Sequence, residues 1–375
     1  ADALDIPLAE LERLAEDFDD RYRIVEKKAT SHRRARTVYD PCDDLKFVQR
    51  VINTRLFRQI NFGSYLFGGI FDLDNPRDYV YCAQEHCPAG ILAKLDIKSF
   101  FDAVLFDDVE KIFLNFFHYD ADVADLLSKL TTINGYNLPQ GAPTSVALAN
   151  LIFHKDEPRL AAALAKNGVR YTRFIDDIVI SHPESSANID KSRIMVETMI
   201  ERSGHSLNAE KTVKRTRATN VIEVFGIRVN GREPRLAKPK QKNIRAAVHQ
   251  LEWQSAIPNE RKSVQYSKQW HHVSGLLVKL KRTGHPKYAT YRRRLRRIIP
   301  VIDEKKLNGI KADVRRLIFD SNEPRNPRAL KRRHDLLVNI VGIVGRTHKT
   351  LAAELRDDLA LVRSNLEKAQ RANDT

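Results

Sequence analysis

Asp176 and Asp177 stand side by side in Tyr171-Thr-Arg-Phe-Ile-Asp-Asp-Ile-Val-Ile-Ser181. Asp96 lies 80 residues upstream of Asp176, follows the apolar run Gly90-Ile-Leu-Ala and opens Asp96-Ile-Lys-Ser-Phe-Phe-Asp102. Adjacent carboxylates repel unless a cation lies between them. The flanks Phe174-Ile175 and Ile178-Val179-Ile180 are aromatic and β-branched, which predicts a strand–tight turn–strand hairpin with paired acids at its tip. A third acid beyond another apolar strand points to a two-metal centre. In such a centre Mg²⁺ ions activate a 3′-hydroxyl and stabilise a leaving pyrophosphate. An Asp-Asp pair alone is a weak signal, and a solvated turn is its commoner meaning. The neighbours, in their order, carry the argument.

Between the two acidic sites lies Leu138-Pro-Gln-Gly-Ala-Pro-Thr-Ser145, then Val146-Ala-Leu-Ala-Asn-Leu-Ile-Phe153. The first segment is a Gly/Pro turn of the kind that lets backbone approach a ligand closely. The second opens an apolar helix. After the acid pair come Leu207-Asn-Ala-Glu-Lys-Thr212 and the strand-like Val224-Phe-Gly-Ile-Arg-Val-Asn230.

Together these segments resemble the bacterial reverse transcriptases. Asp96-Ile-Lys-Ser-Phe-Phe-Asp102 looks like the first catalytic motif of that family, Leu138–Ser145 like the second and Phe174-Ile-Asp-Asp177 like the third. Asn208-Ala-Glu-Lys-Thr212 and Val224-Phe-Gly226 are similar to the motifs that follow, and Lys27-Lys28, Arg36-Thr-Val and Leu45-Lys-Phe-Val-Gln49 to its fingers. The likeness covers about residues 20–300 and looks closest to the retron and antiphage-defence branch. There are three departures. Phe174-Ile175 stands where retron enzymes carry Tyr-Ala, Cys82-Ala-Gln-Glu-His86 lacks the Asn of Asn-Ala-x-x-His, and Val224-Phe225-Gly226 replaces Val-Thr-Gly.

The resemblance implies an α+β right-hand polymerase fold: fingers, a palm with an antiparallel sheet, a helical thumb and a helical C-terminal extension. It implies an RNA-directed DNA polymerase that extends a primer on an RNA template. The template would be a dedicated structured non-coding RNA, in retron-like DNA synthesis for antiphage defence. One alternative is a non-retron defence enzyme making template-independent or repeat DNA. Another is a non-catalytic nucleic-acid-binding scaffold. By the same resemblance, Asp96, Asp176, Asp177 and the Ile97 carbonyl bind two Mg²⁺. Phe101, five residues after Asp96, stands at the steric gate against a ribose 2′-hydroxyl, while Phe100 is read as core. Gln140 and Gly141 border the incoming nucleotide. Lys28 and Arg36 contact the triphosphate, with Arg33 or Arg34 as substitutes. Lys211 is either the general acid for pyrophosphate or a surface lysine beside a turn. Asp102 is expected to cap a helix and His86 to be structural.

Composition agrees with a polyanionic partner: 64 Lys and Arg stand against 48 Asp and Glu, a net charge of +16. Residues 236–300 hold 16 basic residues and two acids, Glu252 and Glu260, interleaved with Trp253, Tyr266, Trp270, Tyr288 and Tyr291. That mixture suits phosphate, sugar and base contacts. Lys279, Lys281, Arg292, Arg293 and Arg294 are its candidate nucleic-acid contacts. Three cysteines make no disulfide framework, and Cys82/Cys87 without a second ligand pair is a poor zinc site. The expected compartment is the reducing cytoplasm.

The expected organisation is an amphipathic N-terminal helix (1–20) with Leu4, Leu8, Leu11, Leu14 and Phe18 at helical spacing, not a signal peptide. Fingers (21–90), a palm with inserted fingers helices (91–235), a basic thumb (236–310) and a helical extension (311–375) follow. The apolar run Leu336–Gly345 contains Asn339 and is too short for a bilayer, so no membrane is expected. Expected partners are a template RNA, the DNA product and an effector or toxin protein, with self-association open.

Overall fold

Strand β4 (Ile91–Asp96) is an interior strand of the five-stranded sheet, and its sequence explains why. Its residues are buried apart from Lys94, because both faces of the strand are covered. In the computed structural model the described residues are 1–16, 21–27, 36–72, 74–302, 304–322 and 327–373. They fall into two compact units, Ala1–Ala237 and Lys238–Thr375.

In the first unit, β1 (Tyr22–Lys27) and β2 (Arg36–Pro41) form an antiparallel hairpin. The remaining sheet strands are β3 (Leu66–Phe67), β5 (Arg170–Phe174), β6 (Asp177–His182) and β7 (Val213–Thr216). With β4 they give the order β3-β5-β6-β4-β7, antiparallel except for the parallel pair β3/β5. Side chains alternate across a strand. Ile91, Ala93, Leu95, Ile178 and Ile180 therefore face one core, shared with the helices Asp43–Arg55, Phe106–Asn115, Ala121–Thr131, Ser145–Leu151 and Asp190–Arg202. Leu92 and Val179 face a second core with Val80, Ile222, Val224 and Ile227. Lys94, Asp96 and Asp177 share this second face by the same alternation.

Several expected elements change shape. The N-terminal segment is a 3₁₀ turn, Asp2–Leu4, and a helix, Leu8–Glu16, instead of one helix. Asp5 has φ 55, and Pro7 cannot donate in a continuous helix. Leu4, Leu11 and Leu14 are buried, whereas Leu8 is exposed; Phe18 lies outside the described residues. The expected strand 224–230 is instead a hairpin of β8 (Glu223–Val224) and β9 (Ile227–Arg228), extended by β10 (Arg235–Leu236). Phe225 and Gly226 both have positive φ, the requirement of a tight two-residue hairpin turn.

The second unit is helical: Lys238–Ser255, Val264–Arg282, Tyr288–Arg297, Glu304–Asn322, Pro327–Val344 and Lys349–Asn373. The expected thumb–extension boundary at 310/311 falls inside the helix Glu304–Asn322. The last three helices share one core, including Val314, Leu317, Val341, Val344, Leu359 and Val362.

Candidate active site

Strand register alone brings the three acids together. β5 and β6 pair up to Phe174↔Asp177, which leaves Ile175 and Asp176 as a two-residue turn. β4 and β6 pair so that Asp96 lies opposite Asp177. The Ile97 N–H donates to the Asp176 carbonyl at 3.0 Å, closing the third side. Ile97 also bridges Leu207, with hydrogen bonds on either side of it from Asn208 N to Asp96 O and from Lys98 N to Ser206 O.

The turn is strained. Ile175 has φ 61, a conformation that a β-branched residue rarely takes and that ordinarily falls to Gly in such turns. Strain of this kind persists only where the surroundings enforce it. Gly68 helps: a Cβ there would stand 3.0 Å from the Ile175 and Phe174 side chains. Arg173 also holds the turn, donating Nη1 to the Ile175 carbonyl at 3.2 Å.

Arg173 is the anchor that sequence reasoning missed. It is fully buried and forms a fork with Glu157, Nε to Oε1 at 2.6 Å and Nη2 to Oε2 at 2.7 Å. It also donates to the carbonyls of Ala149 and Asn150, while the Tyr171 hydroxyl donates to Glu157 at 2.6 Å. A dry ion pair needs this degree of hydrogen bonding to offset desolvation. The available signal was a charge at an inward-facing position of a strand that also carries Tyr171.

Two lysines stand on the acids. Lys211 Nζ donates to both oxygens of Asp96, at 2.7 and 2.9 Å. Lys94 Nζ lies 2.7 Å from Asp177 Oδ1 and 5.6 Å from the centre of the Phe225 ring, which packs on Phe174. Lys94 was not anticipated, although its place two residues before Asp96 puts both on one face of β4. Burial pushes the Asp176 carboxyl up to about 6, helped by the charges of Asp177 and Asp96 and opposed by Lys211. Among the described residues no three acidic, His or Cys side chains are drawn into a ready-made metal cage; ammonium groups hold Asp96 and Asp177 instead. The donor set still fits a hard divalent cation: it offers only oxygens, and its negative charge is incompletely balanced at Asp176.

His86 is fully buried, with Nδ1 2.7 Å from Ser181 Oγ and Nε2 2.8 Å from Thr172 Oγ1. It thus links β5 to β6 behind the acidic turn. Burial, then the charge of Arg170, pushes its pKa down to about 3. Phe100 is buried and stacks on Phe153, while Phe101 is half-buried beside it. Asp102 lies in the first turn of the helix Phe100–Ala103, whose N-cap is Ser99, so it is not the cap. The Gln140 carbonyl accepts from Tyr39 N at 2.9 Å. Gly141 has φ 117, and a Cβ there would meet Val38 at 2.5 Å, so only glycine lets this turn lie against β2. Lys28, Arg33 and Arg34 lie outside the described residues, and Arg36 is described only as a backbone position of β2. In the second unit, Lys279, Lys281, Arg292 and Arg293 are exposed. Arg294 is not a free contact: its guanidinium forks onto Glu252, which uses the donors a phosphate would need.

Residues 25–266 match the family of the reverse transcriptase (RNA-dependent DNA polymerase). The chain is 31% identical to the retron Ec48 reverse transcriptase of Escherichia coli over 343 residues, covering 89% of this chain and 84% of that protein. It is 29% identical to the retron Se72 reverse transcriptase of Salmonella heidelberg (strain 579083-10), covering 90% and 88%. Among solved structures, telomerase from Candida albicans aligns with a TM-score of 0.42 at 12% identity, over 90% of this chain and 65% of that one.

Proposed function

The chain belongs to the reverse transcriptase (RNA-dependent DNA polymerase) family, of the retron type, and from that premise we propose how its residues carry the reaction. It is an RNA-directed DNA polymerase. Asp96, Asp176, Asp177 and the Ile97 carbonyl would hold two Mg²⁺ ions, whose chemistry when bound would be to acidify a primer 3′-hydroxyl and offset triphosphate charge. The residues do the rest. The Arg173–Glu157 pair holds the turn that presents Asp176. Lys211, once its ammonium leaves Asp96, donates a proton to the departing pyrophosphate. Phe101 excludes a ribose 2′-hydroxyl, Gln140 and Gly141 border the nucleotide, and Lys28 and Arg36 take its phosphates. Lys279, Lys281, Arg292 and Arg293 hold strand phosphates.

The names of the relatives support retron reverse transcription, and we propose that the template is a dedicated structured RNA. We further propose a role in antiphage defence beside an effector protein, in the cytoplasm. No helix among the described residues is long and apolar enough to cross a membrane.

The observation that carries the reading is the register that sets Asp96 opposite Asp177 with Asp176 at the adjoining turn. Asp176→Asn keeps shape and removes a charged ligand. Mg²⁺-dependent extension of a primed RNA template with deoxynucleotides should fall about 100-fold or more. Extension at the wild-type rate would refute the assignment.

A further inference from the structure

Three guanidinium groups line one cavity of the second unit, and among the described residues no carboxylate lines it with them. The cavity holds about 410 Å³ between the helices Val264–Arg282 and Tyr288–Arg297 and the turn that follows Pro327–Val344. Arg292, Arg296 and Arg346 form its charged wall, and Trp270, Leu277 and Leu295 its apolar one. The Arg346 guanidinium lies 4.9 Å from the centre of the Trp270 ring, and Arg292 lies 5.9 Å from that of Tyr288. Trp270 is itself nearly buried, and its indole N–H donates to the Leu295 carbonyl at 3.1 Å. The ring is therefore fixed, with its polar group already satisfied.

Like charges gathered at one cavity repel unless an anion joins them. Arg294, on the same helix, has its own counter-ion in Glu252. Arg292, Arg296 and Arg346 form no ion pair among the described residues. Guanidinium forks match phosphate oxygens, and an aromatic and aliphatic wall beside them suits a sugar or base. The volume lies within the range of small-ligand pockets. We propose that this cavity takes one nucleotide unit of a nucleic-acid strand, with its phosphate on Arg292, Arg296 and Arg346 and its sugar or base against Trp270 and Leu295. The inference deepens the polymerase reading and rests on it for the class of partner. It also gives the C-terminal extension a task, since Arg346 from that extension completes a site begun by two earlier helices.

The test uses the full chain in EDTA, so that metal-dependent chemistry plays no part. Binding of a labelled 12-nucleotide single-stranded RNA and of an RNA–DNA duplex is followed by anisotropy at several salt concentrations. Arg346→Glu should weaken at least one of them about tenfold and flatten the salt dependence by roughly one unit. Arg346→Met, which keeps the stem, should lose less. Arg297→Glu makes the same change of net charge from an exposed position outside the cavity and should leave the slope unaltered. Equal weakening by Arg297→Glu and Arg346→Glu would assign the effect to bulk charge and overturn the site, as would no effect of Arg346→Glu. The chain has two tryptophans, so Trp253→Phe leaves Trp270 as the sole tryptophan, excited apart from the tyrosines. The oligonucleotide that Arg346→Glu weakens should quench it. Saturable quenching by AMP alone, with none by either oligonucleotide, would make the cavity a free-nucleotide site and also overturn the proposal. Failure of the polymerase reading would appear separately, in the Asp176→Asn extension assay.

Discussion

Arg173→Met should be among the most damaging single changes in the first unit, and its cost can be worked from the contacts. The methionine fills much of the arginine's volume but removes five donated hydrogen bonds: two to Glu157 and one each to the carbonyls of Ala149, Asn150 and Ile175. Glu157 would remain 1% exposed with only the Tyr171 hydroxyl as partner. Leaving one member of a buried pair uncompensated costs about 3–5 kcal/mol. In a unit of this size each kcal/mol lowers the thermal midpoint by roughly 2–4 °C, so a drop of about 6–20 °C is expected. The measurement is a thermal melt of the full chain beside a melt of Arg173→Met/Glu157→Leu, in which the stranded charge is gone. The double variant should recover a large part of the loss, because an apolar replacement of a dry ion pair is often neutral. Polymerisation should behave differently. With the Ile175 carbonyl released, kcat stays low in the double variant even as stability returns. A single-variant loss below about 1 kcal/mol would show that the pair is not dry. Full recovery of kcat in the double variant would show that it does not hold the turn.

Two further outcomes are expected. His86 titrates near 3 in the fold against an ordinary 6.5, so its neutral ring stabilises the protein fully above pH 6.5. That stability is lost as pH falls from 6.5 toward 3, by about 2 kcal/mol at pH 5. Urea unfolding at pH 7 and pH 5 should show a shallower dependence for His86→Gln, and an unchanged slope would mean that the ring is already protonated in the fold. Phe101→Ala should raise the ratio of kcat/KM for a ribonucleotide to that for its deoxy counterpart; an unaltered ratio in a folded variant would return Phe101 to the core.

How much of this was legible depends on whether the cause was local. The acids were readable because short apolar and β-branched runs mark β4 and β6, and because Asp96 and Asp177 sit at strand ends with Asp176 in the adjoining turn. Their meeting follows from pairing those strands. Phe174-Ile175 in place of Tyr-Ala does not exclude the chain from the retron type: Phe174 keeps an aromatic ring against Phe225, Gly68 leaves room for the Ile175 side chain, and Arg173 holds the Ile175 carbonyl. Those two supports come from distant parts of the chain, and no local pattern announces them. Lys94 was overlooked because a lysine in a strand reads as solvated, whereas the register aims it at Asp177.

The treatment of charge separates the two units. In and behind the acidic turn of the first, cations are placed on carboxylates: Lys211 on Asp96, Lys94 on Asp177 and Arg173 on Glu157. Asp176 has a raised affinity for protons, which is the expected consequence of burying a carboxylate beside two others. A divalent cation would relieve that excess, and the lysines mark where positive charge is already welcome. In the second unit the imbalance is reversed, with Arg292, Arg296 and Arg346 gathered around Trp270 without an acid among the described residues. Net charge locates that surplus within the sequence, but it cannot say which arginines meet. Arg294 looked equivalent to its neighbours and is consumed by Glu252. Arg346 was assigned no role and completes the cavity, because it arrives only after two further helices have folded back onto their shared core. One unit is therefore short of positive charge at its acidic turn and the other short of negative charge at its cavity. A nucleic-acid strand with its metal ions carries both of the missing charges.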